Sequence, residues 1–126
     1  VNHSKPAEFI LRPFFDPYLE HREAVYMLML NTAGNPLGVF FIGLGGISQC
    51  LIDIKIVAQA AILANASSVI IAHNHPSGNV NPSKCDIDMF LKAKKALRIL
   101  DIELKDSLIL SHLQDEYYSL VDNGDV

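Results

Sequence analysis

The chain has 126 residues, half of them hydrophobic and 19% charged, with a formal net charge of −4. That length supports one domain burying about two-thirds of its unfolded surface, and it excludes both two ordinary domains and a largely disordered chain. The acidic balance argues against a dedicated nucleic-acid binder, and no apolar run approaches the ~18 residues of a membrane-spanning helix.

Residues 1–22 mix Pro, aromatic and charged residues. They read as an N-terminal arm, irregular or briefly helical, ahead of a domain over residues 23–126. Residues 25–31 are apolar on both faces, which suits a central strand. Thr32-Ala33-Gly34-Asn35-Pro36 is a turn, and residues 37–42 form a second strand antiparallel to the first. Gly43, Gly45 and Gly46 follow without the Lys-Ser/Thr of a phosphate loop, so a loop or bulge between strand segments is expected.

Asp53 is the N-cap of a helix over residues 54–65, with Ile56, Val57, Ala60, Ala61 and Ala64 as its buried stripe. Ser68-Val69-Ile70-Ile71-Ala72 is a short β-branched strand leading into His73. A second helix runs from Lys84 to Leu100, with Phe90, Ala93, Leu97 and Leu100 on its core face. From Ile102 to Leu110 apolar residues alternate on a two-residue period, predicting a half-buried strand. Residues 116–120 make a short last strand, and residues 122–125 fray. This order gives an α/β fold with one mixed sheet flanked by helices.

Two cysteines, Cys50 and Cys85, do not make a disulfide framework. Cys85 is either a reactive thiol or a small residue in a helix's first turn. Lys92, Lys94, Lys95 and Arg98 are the one basic cluster, read as a solvated helix face rather than a nucleic-acid site. No signal peptide is visible, and a start at Val1 fits a trimmed chain, so a cytoplasmic location is expected.

The chemistry concentrates in His73-Asn74-His75, followed by Ser83 and Asp86. Two imidazoles and a carboxylate are the ligand types of a catalytic zinc site, with a fourth position left for water. Residues at i and i+2 of a strand share a face, so both imidazoles point the same way. Ser83-Lys84-Cys85-Asp86 also fits a capping box that opens a helix. Local grammar leaves both readings open, and they are compatible. His3, His21 and His112 have no partner at ligand spacing.

The spacing His-x-His-x7-Ser-x2-Asp matches the JAMM (MPN) metalloprotease signature at each position. The wording His73-Asn74-His75-Pro76-Ser77-Gly78, then Pro82-Ser83 and Asp86, resembles the RadC branch of that superfamily, and the similarity runs from about Glu23 to Leu120. The resemblance implies a single JAMM/MPN-like domain, of cytidine-deaminase-like type. It implies one zinc ion held by His73, His75 and Asp86, with Ser83 assisting the developing oxyanion and Glu23 as general base. By itself Glu23 would be a solvated charge flanking a strand. RadC relatives often carry an Arg-Glu pair at the start of the first core helix, where this chain reads Asp53-Ile54-Lys55-Ile56. Full-length relatives also carry an N-terminal helical domain for which this chain has no room.

The expected function is zinc-dependent hydrolysis of a peptide or isopeptide bond. The alternative is a non-catalytic metal-binding module associated with DNA repair or recombination. The expected partner is a peptide or protein substrate, with no strong nucleic-acid binding by this domain and no membrane. Exposed edge strands would permit a homodimer.

Overall fold

The structure is a computed structural model that describes residues 3–18, 21–44, 52–113 and 116–126. The expected loop or bulge at Gly45 and Gly46, and Cys50, lie outside the described residues. Five strands form one mixed sheet: β1 (Ala24–Leu30), β2 (Pro36–Leu44), β3 (Ser68–Asn74), β4 (Glu103–Leu110) and β5 (Tyr117–Ser119), in the order β2-β1-β3-β4-β5. β1 runs antiparallel to both β2 and β3, β3 and β4 are parallel, and β5 returns antiparallel to β4. Parallel neighbours need a long crossover. Here it contains α3 (Lys84–Ile99).

Side chains alternate across each strand, so the sheet has two apolar faces. Val25, Met27, Met29, Val69 and Ile71 pack with Val57 and Ala61 of α2 (Ile54–Leu63) and with Phe90, Ala93 and Leu97 of α3. Leu28, Leu30, Ile70, Ala72, Leu108 and Leu110 pack on the other face against Ala7 and Leu11 of α1 (Ser4–Leu11) and against Phe15. The N-terminal stretch is thus a helix and a short 3-10 turn that seal one side of the sheet. Arg12 fastens it, pairing with buried Glu8 and donating to the carbonyls of Ser111 and Glu116, both at 2.8 Å.

Two expectations are corrected. β4 is half-buried only at its start, because from Asp106 to Leu110 both faces are covered. Asp106 is fully buried in the strand, where it accepts from Ser107 N at 2.7 Å and Val121 N at 3.1 Å and meets His3 at 3.1 Å. Residues 122–125 do not fray. Asp122 bonds Ser4, Asp125 accepts from Tyr118 Oη at 2.6 Å, and backbone turns join the segment to β5.

Asp53 caps α2 as expected, its Oδ1 accepting from Lys55 N at 3.0 Å and Ile56 N at 3.4 Å. Replacing Asp53 with Ala is expected to cost about 1 kcal/mol of stability, measured by urea unfolding, because two amides of the first turn lose their acceptor. Among the described residues, no helix is long and apolar enough to cross a membrane.

Candidate metal centre

β3 carries His73 at its sixth position and ends at Asn74, with His75 immediately after it. His75 stays in line with the sheet because its amide donates to Leu110 O at 3.2 Å. The β1–β3 ladder ends with Val25 opposite His73. Continued two residues, that register places Glu23 opposite His75. α3 begins beside the same sheet end and brings Ser83 and Asp86.

The four chemical groups converge. Donor atoms of Glu23, His73 and His75 all lie within 4.8 Å of one another, a group that could hold a metal ion. Asp86 joins it through the imidazoles, its Oδ1 3.3 Å from His73 Nε2 and its Oδ2 3.5 Å from His75 Nε2. Donors ~2.0–2.2 Å from a tetrahedral cation stand ~3.3–3.6 Å apart, so both separations fit such an ion. His73 Nε2 is buried and has no hydrogen-bond partner despite its nearness to Asp86. A buried polar atom left in that state is uncommon unless something else satisfies it. The sequence reading gave Glu23 the part of a general base beside the candidate ligands, and here it stands close enough to be a donor itself.

His75 and Asp86 are each oriented from behind. His75 Nδ1 donates to the carbonyl of Asn79 at 2.7 Å, which turns Nε2 and its lone pair toward the site. Asp86 and Ser83 form the capping box: Ser83 Oγ accepts from Asp86 N at 3.0 Å, and Asp86 Oδ2 accepts from Ser83 N at 2.9 Å. That leaves Asp86 Oδ1 facing His73. Ser83 is exposed and uses its oxygen as acceptor, so its O–H remains a donor toward the open side. The two readings of this segment, cap and site, therefore hold together.

Electrostatics follow from the crowding. Burial pushes the Asp86 carboxyl up, but the His73 and His75 imidazoles beside it and the Ser83 amide outweigh that and hold it well below the usual range. The hydrogen bond to Asp86 raises His75, against the opposing effect of burial, and the Asn79 carbonyl and the Asp86 and Glu23 charges add to it. Burial raises Glu23, the imidazoles pull it back, and Asp86 adds to the rise.

Three further supports stand behind the site. The acceptor for His75 is a backbone carbonyl, which no residue type announces. Asn74 is completely buried and bonds the backbone around Glu23. His112 lies against the loop after His75: Gly78 has φ +88°, and a Cβ there would meet His112 Cε1 at 2.9 Å. Cys85, beside Asp86, is disulfide-bonded, which corrects its reading as a reactive thiol or simply a small residue of the first turn.

The sequence model of the RadC-like JAB domain family matches residues 4–125. Among curated relatives, a UPF0758 protein of Flavobacterium johnsoniae is 35% identical over 124 residues, covering 98% of this chain and 52% of the relative. A UPF0758 protein of Porphyromonas gingivalis is 32% identical over 124 residues, covering 98% of this chain and 53% of its own length. One from Thermotoga maritima is 39% identical over 109 residues, covering 86% of this chain and 48% of its own. The chain spans about half the length of these relatives.

Proposed function

The chain belongs to the RadC-like JAB domain family, and on that premise we propose that it is a zinc-dependent hydrolase of peptide or isopeptide bonds. The observation that carries this reading is the convergence of Glu23, His73, His75 and Asp86 at donor separations suited to a tetrahedral ion. His73, His75 and Asp86 would hold zinc. When bound, zinc lowers the pKa of water and polarises a carbonyl oxygen.

Glu23 then takes a proton from the attacking water and returns it to the leaving amine, as a carboxylate of raised pKa can at neutral pH. Ser83 donates its free O–H to the oxyanion of the tetrahedral intermediate. The Asn79 carbonyl keeps His75 in one tautomer, and the capping box keeps Asp86 in one rotamer, so both are set before substrate arrives.

Metal analysis of the purified chain, joined to an activity screen on peptide and isopeptide substrates, tests the reading. Zinc at one per chain with hydrolysis supports it, and a chain that cannot take up zinc sinks it. A pH dependence follows as well. Asp86 keeps a proton on His75 to higher pH than a free imidazole would, and a ligand nitrogen must lose that proton. Zinc affinity is therefore expected to rise with pH and to go on rising above 6.5, the ordinary imidazole value. Chelator competition from about pH 5 to about pH 9 measures it, and a plateau already reached below 6.5 would contradict the assignment.

A second reading rests on another observation. Leu91, Lys92, Lys94, Lys95 and Arg98 of α3 line an open groove of about 510 Å³. This supports the non-catalytic alternative, a metal-binding module that touches DNA in repair or recombination. Phosphate contacts of so few cations give weak binding that falls steeply with salt. Submicromolar binding at physiological salt, lost on replacing Lys94 and Lys95 with Glu, would put that alternative ahead.

A further inference from the structure

We propose that Asn74 is a positioning residue that aims Glu23 at the imidazole pair, an inference that rests on Glu23 being the proton carrier. Asn74 sits between the two histidines and is fully buried. Its side chain leaves β3 on the face opposite His73. There Oδ1 accepts from Ala24 N at 2.7 Å, and Nδ2 donates to Arg22 O at 3.0 Å and Tyr18 O at 3.3 Å. The Arg22 carbonyl belongs to the peptide plane before Glu23, and the Ala24 amide belongs to the plane after it.

One carboxamide therefore grips both planes that meet at the Glu23 α-carbon. The planes are rigid, so fixing both fixes φ and ψ, and with them the direction of the Glu23 side chain. The β1–β3 ladder does not do this, because it stops at Val25 and His73. An amide side chain alone among the residues of this size offers an acceptor and a two-hydrogen donor in one plane. Aspartate would present an oxygen to two carbonyls, and an apolar residue would strand the Ala24 amide.

The experiment uses the zinc-loaded full chain with acetohydroxamate, a metal chelator whose protonated oxygen can donate to a neighbouring carboxylate. Calorimetry compares the parent, Asn74→Ala, Glu23→Gln and the double variant. Zinc affinity is expected to stay within ~3-fold in Asn74→Ala, since no ligand is touched. Acetohydroxamate should bind ~10-fold more weakly in Asn74→Ala and in Glu23→Gln, and no more weakly in the double variant, because both remove one interaction.

Should Asn74→Ala fail to fold, Asn74→Asp keeps the volume and the acceptor for Ala24 and replaces it. Weakening in Glu23→Gln alone overturns the role of Asn74 and leaves the proposed function standing. Weakening in neither variant overturns both the inference and the placing of Glu23. Failure of the parent to bind zinc overturns the hydrolase reading itself.

Discussion

Glu23→Gln is expected to lower any peptide or isopeptide hydrolysis by ~10²-fold or more, with folding and zinc affinity unchanged. The amide keeps the shape and the hydrogen-bonding reach of the carboxylate but cannot hold a transferable proton. The expectation rests on position first: the β1–β3 register brings Glu23 across from His75, and its carboxylate lies within 4.8 Å of both imidazoles. Burial then raises its affinity for protons above the ordinary carboxylate, whose pKa is 4.5. A raised pKa makes the carboxylate a better base toward water, and the acid it becomes is still strong enough to protonate the far more basic leaving amine. The acid limb of the rate profile should therefore lie above 4.5 and vanish in the variant. Rates measured at matched zinc occupancy decide the matter, and equal rates would remove Glu23 from the mechanism.

Asp86→Asn should weaken zinc binding by at least ~10–100-fold, the scale already seen when residues behind a ligand are changed. The substitution removes the carboxylate that stands 3.3 and 3.5 Å from the Nε2 atoms of His73 and His75. It leaves the helix start almost intact, because an asparagine oxygen can still accept from Ser83 N. The stability cost should not exceed about 1 kcal/mol, the worth of a helix cap. Chelator competition gives the affinity and thermal unfolding of the metal-free chain gives the cost. Unchanged affinity would take Asp86 out of the ligand set.

The meeting of His73, His75 and Asp86 was legible because its logic is local. His73 and His75 announce a shared face, and Ser83-Lys84-Cys85-Asp86 announces a helix start; both signals survive folding. Strand β1 and helices α2 and α3 were legible for the same reason, as apolar periodicity and the Asp53 cap act within a few residues. What stayed hidden depends on partners far along the chain. β4 alternates in sequence, yet Asp106 and Ser107 are buried, because α1 and the chain after β5 close over them. The last residues look like a loose tail, but Ser4 and Tyr118 hold them. That Glu23 faces His75 follows from which strands become neighbours, and nothing in residues 21–30 states it.

The capping box has a kinetic side. Asp86 serves two masters: one oxygen closes the first turn of α3 by accepting from Ser83, while the other faces His73. An ion seated there would be tethered to the helix start. Its escape would be quickest when that turn unwinds, since only then does the carboxylate swing clear. Helix ends open far more often than interiors. Ion exchange would thus be timed by the fraying of a single turn rather than by unfolding of the domain. Any residue that steadies Ser83-Lys84-Cys85 would lengthen the ion's stay without touching it.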